Sequence, residues 1–210
     1  EQALNILVGL ADGVMVSSAG EAAISGVSLV DMINAVVLTL FMGLATGGAV
    51  VTSQYLGARK FPDAQKSVGQ LILMASVIGT LFGALCLILA RPILKLFFGA
   101  IEADVMQAGL VYFHITSLAF PFIALYCTAS AVFRSMGNSK LTMKISILMN
   151  LIKVSGNAIC VLGVKMGVAG VAIPTLISRI VAAVLTLVFS SRKQQPLHLE
   201  RKYVFHMQGD

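Results

Sequence analysis

Apolar residues fill this chain in long unbroken runs, with short polar breaks between them and no alternating stripe. The runs cover Ala3–Ala19, Ala22–Leu56, Ser67–Ala90, Gln107–Phe133, Leu141–Gly163 and Val168–Ser190. A hydrocarbon core of about 30 Å takes roughly 20 residues of helix, so segments of this length read as transmembrane helices. The breaks carry the polar and turn-forming residues: Gly20-Glu21, Gly57-Ala58-Arg59-Lys60, Arg91-Pro92 and Gly137-Asn138-Ser139. The pattern predicts an all-α, polytopic membrane protein with six transmembrane helices. The first run starts at the chain's beginning, without a methionine, and the last is followed by a polar tail. The chain reads as part of a longer protein.

Composition agrees. Of 210 residues, 58% are hydrophobic and 11% charged, with a mean hydropathy of +0.92. Soluble domains carry roughly a quarter charged residues. The net charge of +6 does not indicate a nucleic-acid partner, because the basic residues sit in short loops, where they report topology. Arg59, Lys60, Lys66, Arg134, Lys140, Lys144, Arg192, Lys193, Arg201 and Lys202 fall on one side. Arg91, Lys95 and Lys165 fall on the other, with Glu21, Glu102 and Asp104. For a multi-pass protein of the plasma membrane, the positive-inside rule predicts both ends of this chain in the cytoplasm. Cys86, Cys127 and Cys160 lie in apolar runs without CxxC spacing and read as structural thiols. No phosphate-binding glycine loop, HExxH or GxSxG is present, so an enzyme or a bound cofactor finds no support. Glycines at small-xxx-small spacing (Gly43/Gly47, Gly79/Gly83, Gly163/Gly167) predict close helix contacts.

Against that background a few polar residues stand out. Asp12 lies inside the first run, where an ionisable group is costly and by default functional. At 1.5 Å per residue it sits roughly 10 Å below the end of its helix; Asn157 sits roughly 9 Å below Gly163 and Thr175 roughly 10 Å below Val168. Three polar side chains on three helices thus share one level. Lys153 shares a helix face with Asn150 and Asn157, and its stem reaches that level. Arg179 lies nearer the midplane and cannot carry a proton. Asp31 reads as a water-accessible acid near the start of the second run, and His114 as a satisfied histidine. Pro121 and Pro174 are candidate bends or gates. A purely structural reading remains open, in which Asp12 is locked to Lys153 or Arg179 to hold helices together.

The stretch Gly9-Leu10-Ala11-Asp12-Gly13-Val14-Met15-Val16 with loop glycine Gly20 resembles the first helix of multidrug and toxic compound extrusion (MATE) transporters. So do Ser53-Gln54-Tyr55-Leu56-Gly57-Ala58-Arg59, the run from Phe133 to Lys140, the pair Asn150 and Asn157, and the run from Met166 to Ser178. The resemblance extends over essentially the whole chain. It implies a twelve-helix carrier of two six-helix lobes that exports organic, often cationic, small molecules against inward sodium or proton flow. Residues 1–192 would be the amino-terminal lobe, its first helix truncated at the start. Residues 193–210 would be a cytoplasmic linker toward a carboxy-terminal lobe of the same protein, absent from this chain.

Residue by residue, the resemblance places cation coupling at Asp12, Asn157 and Thr175, joined by Asn150 and Lys153, with a sodium ion or proton at Asp12. Asp31, Arg179 and Pro174 become candidates for the substrate cavity. Two residues depart from the pattern: Lys153 stands where asparagine is common, and Pro174 where a small residue is usual. A lysine beside Asp12 occupies the place of the bound cation, which favours proton over sodium coupling. The competing functions are a flippase of lipid-linked precursors, toward which Lys153 and Arg179 lean, and a channel or structural membrane subunit. For a channel, no filter or charged ring is evident.

Overall fold

A computed structural model describes residues 2–17, 20–99 and 101–190. The tail assigned to a linker, 193–210, lies outside these described residues, as do positions 18–19, which close the first predicted span. Helices account for nearly all of the described chain, and none of it is strand.

Helix α1 covers Gln2–Ser17, and Gly20, at φ 103°, separates it from α2, Glu21–Gly57. At 37 residues, α2 is roughly 55 Å long, well beyond the apolar layer, so it tilts or projects from it. Helix α3, Phe61–Ile88, starts with Pro62 in its first turn, where a missing N–H costs nothing. It ends two residues before the predicted Ala90, because Pro92 has no N–H for the carbonyl of Ile88. A separate short helix, α4 (Ala90–Phe98), follows that the apolar pattern does not anticipate. Leu94 is buried while Leu96 and Phe97 are exposed, and the helix also carries Arg91 and Lys95. That distribution suits a helix lying at the membrane interface.

The fourth predicted span, Gln107–Phe133, is not one helix. Helices α5 (Ala103–Ser117) and α6 (Phe120–Ser135) meet at a 49° bend. Pro121 causes it, since its ring excludes the hydrogen bond to Ser117 that a continuous helix needs. Helix α7 (Ser139–Asn157) passes directly into a π-helical turn, Ala158–Gly163. Helix α8 (Ala169–Ser190) runs through Pro174 without breaking. Helices α2, α3, α7 with its π turn, and α8 are each long and apolar enough to cross a membrane. The bent α5–α6 pair is together long and apolar enough for a fifth, and α1 is a shorter apolar helix. The all-α, polytopic class therefore stands, with one span bent and one short helix added.

Helices α2 and α6 form the centre. α2 packs on α1, α3, α5 and α6, while α6 also packs on α3 and α8. Phe41, Phe82 and Phe120 join α2, α3 and α6 through ring contacts of 5.8–6.5 Å. Helix α7 lies on α8, and α1 packs on both α7 and α2. Only one of the three predicted glycine pairs makes a close crossing. A Cβ on Gly79 would stand 2.8 Å from the Ala124 Cβ, and one on Gly83 would stand 3.0 Å from the Ser117 carbonyl oxygen. Gly43, Gly47, Gly163 and Gly167 have no such neighbour within 4 Å; Gly167 instead takes a positive φ of 61°. A close backbone approach that the spacing does not predict is Gly26 on α2 against the Gly109 backbone nitrogen of α5, 2.7 Å from an added Cβ.

Candidate ion and substrate site

Asp12 is buried in α1 with both carboxylate oxygens engaged by α7. The Asn157 Nδ2 donates to Oδ1 at 2.6 Å, and the Lys153 ammonium lies 2.5 Å from Oδ2. The i, i+4 spacing of Lys153 and Asn157 on one helix face makes this two-pronged grip possible. Asn157 is the last residue of α7 before the π turn, and its side chain is fully buried. Its own Oδ1 has no hydrogen-bond partner among the described residues. Single π turns recur at functional sites because the extra residue re-aims the side chains beside it. Lys153 is not sealed in: about a fifth of its side chain is exposed, 21% against 9% for Asp12.

The two partners also face different spaces. Asp12 lines a crevice of about 360 Å³ between α1 and α2, together with Gly9, Gly13, Ser28 and Asp31. Lys153 lines a cavity of about 590 Å³, together with Asn150, Thr175, Ser178, Arg179 and Arg134. Ala35 of α2 belongs to both walls. The ion pair thus bridges two separate spaces and joins α1 to α7.

The remaining candidates fall around this bridge. Thr175 and Ser178 line the cavity with hydroxyls already bonded to their own helix, at Val171 O (2.7 Å) and Thr175 O (2.8 Å). Thr175 therefore shares the site's level without a hydrogen bond to Asp12. Arg179 reaches the cavity from α8, and its Nη1 is buried without a partner among the described residues. Pro174 lines neither space. It packs against Gly156, where a Cβ would stand 2.6 Å from its own, so Gly156 is what lets α7 and α8 approach at the proline. Asp31 is part of the crevice rather than the cavity. Its Oδ1 accepts from the Tyr112 hydroxyl at 3.0 Å and from Asn34 Nδ2 at 3.4 Å. His114 is paired with the Leu110 carbonyl at 2.6 Å, away from both spaces. Cys86, Cys127 and Cys160 are free thiols. Among the described residues no group of three or more His, Cys, Asp or Glu is placed to hold a metal.

Two participants escape sequence reasoning. Tyr112 meets Asp31 across 81 positions, a contact that only the α2–α5 packing creates. Arg134 reads as a loop charge at the end of its span, yet its side chain turns into the cavity. An arginine within reach of the last helical turn is the only signal, and it fits a topology determinant equally well.

Comparison with known proteins matches a family model described as MatE over residues 1–159. An uncharacterized transporter of Bacillus subtilis, YisQ, is 30% identical over 99% of this chain and 46% of its own length. The multidrug export protein MepA of Staphylococcus saprophyticus is 27% identical over 96% of this chain and 44% of its own. Among solved structures, a MATE protein in complex with MaL6 superposes with a TM-score of 0.89 at 18% identity, covering 99% of this chain and 46% of that one. A MOP superfamily transporter from Pyrococcus furiosus, described as having a binding pocket of reverse polarity, gives 0.88 at 19% identity over 99% and 46%. At these identities the superpositions speak for the fold. The chain spans about half the length of the relatives it matches.

Proposed function

The chain belongs to the multidrug and toxic compound extrusion family, multi-pass membrane transporters rather than enzymes, and we propose that it supplies one lobe of a secondary active antiporter exporting organic compounds in exchange for protons or sodium. The observation that carries this reading is the Asp12–Lys153 pair, bridging a crevice on one side and a cavity on the other.

Exchange requires that an empty carrier stay put and a loaded one move. The pair supports such a rule. Closed, it staples α1 to α7, and breaking a buried ion pair costs about 3–5 kcal/mol. A cation arriving at Asp12 through the crevice replaces the ammonium as its counter-charge. A substrate group in the cavity that engages Lys153 withdraws the ammonium from the other side. Either ligand releases the staple, and only then can the lobe rearrange. Asn157 orients the carboxylate throughout, while Asn150 and Thr175 line the space into which Lys153 turns. A proton needs only an oxygen lone pair on Asp12. Sodium needs a coordination shell whose centre Lys153 occupies, so proton coupling is favoured.

The substrate cavity is completed by a second lobe of the same protein, since alternating access in such carriers rocks one bundle against another. Residues 1–192 are the amino-terminal lobe in this reading and 193–210 the linker, with both ends in the cytoplasm of a plasma-membrane protein. The basic lining of the cavity lends no support to the cationic substrates that the resemblance alone implies.

The test is efflux from energised everted vesicles holding the full-length carrier. Asp12→Asn should abolish gradient-driven transport at unchanged expression and insertion. Undiminished efflux in that variant removes the proposal.

A further inference from the structure

Resting on the carrier reading above, we infer that the 590 Å³ cavity selects an organic anion, an amphiphile with a carboxylate, sulfonate or phosphate head and an apolar body. The charges of the two spaces are opposite. The cavity wall carries Lys153, Arg179 and Arg134 and no carboxylate. The crevice wall carries Asp12 and Asp31 and no base. Asp12, the counter-charge of Lys153, is therefore on the far side of the ion pair from any occupant of the cavity.

Arg179 sharpens the assignment. A guanidinium stays charged under all physiological conditions, and its planar fork matches carboxylates and phosphates. Its Nη1 is buried without a partner among the described residues. A charged donor left unsatisfied inside a protein is costly, and the group that satisfies it best is an anion. The rest of the wall is apolar or weakly polar, with Leu38, Met42, Ile123 and Met149 beside Tyr126. A volume of this size, apolar with a few converging polar groups, is typical of small-molecule sites. Basic residues set among aliphatic ones suit an amphiphile and repel a lipophilic cation. The same anion is the species able to compete with Asp12 for the Lys153 ammonium, which links substrate selection to release of the α1–α7 staple.

Free organic anions and anionic lipid headgroups share this chemistry. The experiment measures equilibrium binding to the purified full-length carrier in non-ionic detergent by fluorescence anisotropy. Fluorescein serves as the anion, rhodamine 6G as a cation of similar size, and dioctanoyl phosphatidic acid as a lipid-like competitor. The inference expects fluorescein to bind at least tenfold more tightly than rhodamine 6G, and Arg179→Gln to weaken fluorescein at least tenfold. Arg134→Gln, at the cavity rim, should weaken it severalfold and serves if Arg179→Gln fails to fold. Displacement of fluorescein by dioctanoyl phosphatidic acid supports a lipid headgroup as the source of the anion, and its absence supports a soluble one. Tighter binding of rhodamine 6G, binding of neither probe, or unchanged fluorescein affinity in the folded arginine variants overturns the inference. Gradient-driven efflux in vesicles is scored separately. Efflux of cations with no anion binding removes this inference and leaves the exporter standing, whereas anion binding without any coupled efflux does the reverse.

Discussion

Replacing Lys153 by methionine tests the pair directly, because the two partners are unequally buried. The Asp12 side chain is 9% exposed and that of Lys153 21%. Without the ammonium, a buried carboxylate keeps one neutral donor, Asn157, so Lys153→Met should cost about 3–5 kcal/mol. Asp12→Asn leaves the ammonium free to turn into the cavity, and its cost is nearer that of a lost charge-assisted hydrogen bond, about 1.5–3 kcal/mol. In the Lys153→Met background the sign should invert: Asp12→Asn then removes an uncompensated buried charge and restores stability. The coupling between the two sites is expected at about 2–3 kcal/mol, the upper range for side chains in contact. Unfolding can be titrated with sodium dodecyl sulfate in mixed micelles of the full-length carrier. A thiol-reactive fluorophore reports it, since Cys86 and Cys127 are buried until the helices separate. Additive effects within about 0.5 kcal/mol would mean that the ion pair does not hold α1 to α7.

Two further outcomes follow from the same geometry. Lys153→Asn should empty the position beside Asp12 and render efflux measurably sodium-sensitive, read as a change in transport on adding sodium at constant pH. Gly79→Ala should destabilise the carrier by about 1–3 kcal/mol, because its Cβ would lie 2.8 Å from Ala124 and 3.0 Å from the Pro121 backbone. In the same detergent titration Gly43→Ala, with nothing within 4 Å, should be neutral or stabilising by up to about 1 kcal/mol.

The helices were legible because lipid demands long apolar runs whatever the packing, and because depth follows from counting 1.5 Å per residue. That arithmetic put Asp12 and Asn157 at one level, and the structure brings them into contact. Packing was not legible. Gly43/Gly47 and Gly79/Gly83 have the same spacing, yet only the second pair finds a partner helix, since spacing says nothing about which face a neighbour covers. Prolines mark places where the ladder must yield, but not how. Pro121 ends one helix and begins another, whereas Pro174 is absorbed within α8 by the absence of a side chain on Gly156. The division of Asp12 and Lys153 between two spaces depends on where α2 lies, and no local pattern encodes it.

The central claim is that the Lys153 ammonium holds the cation position at Asp12 until a proton or substrate releases it. Substrate-loaded proteoliposomes of the full-length carrier, given a pH gradient at equal sodium and then a sodium gradient at equal pH, test it most directly. The account predicts efflux driven by the pH gradient, with none from sodium alone and none when no gradient or exchangeable ligand is present. Strong sodium-driven efflux with no response to pH would contradict it.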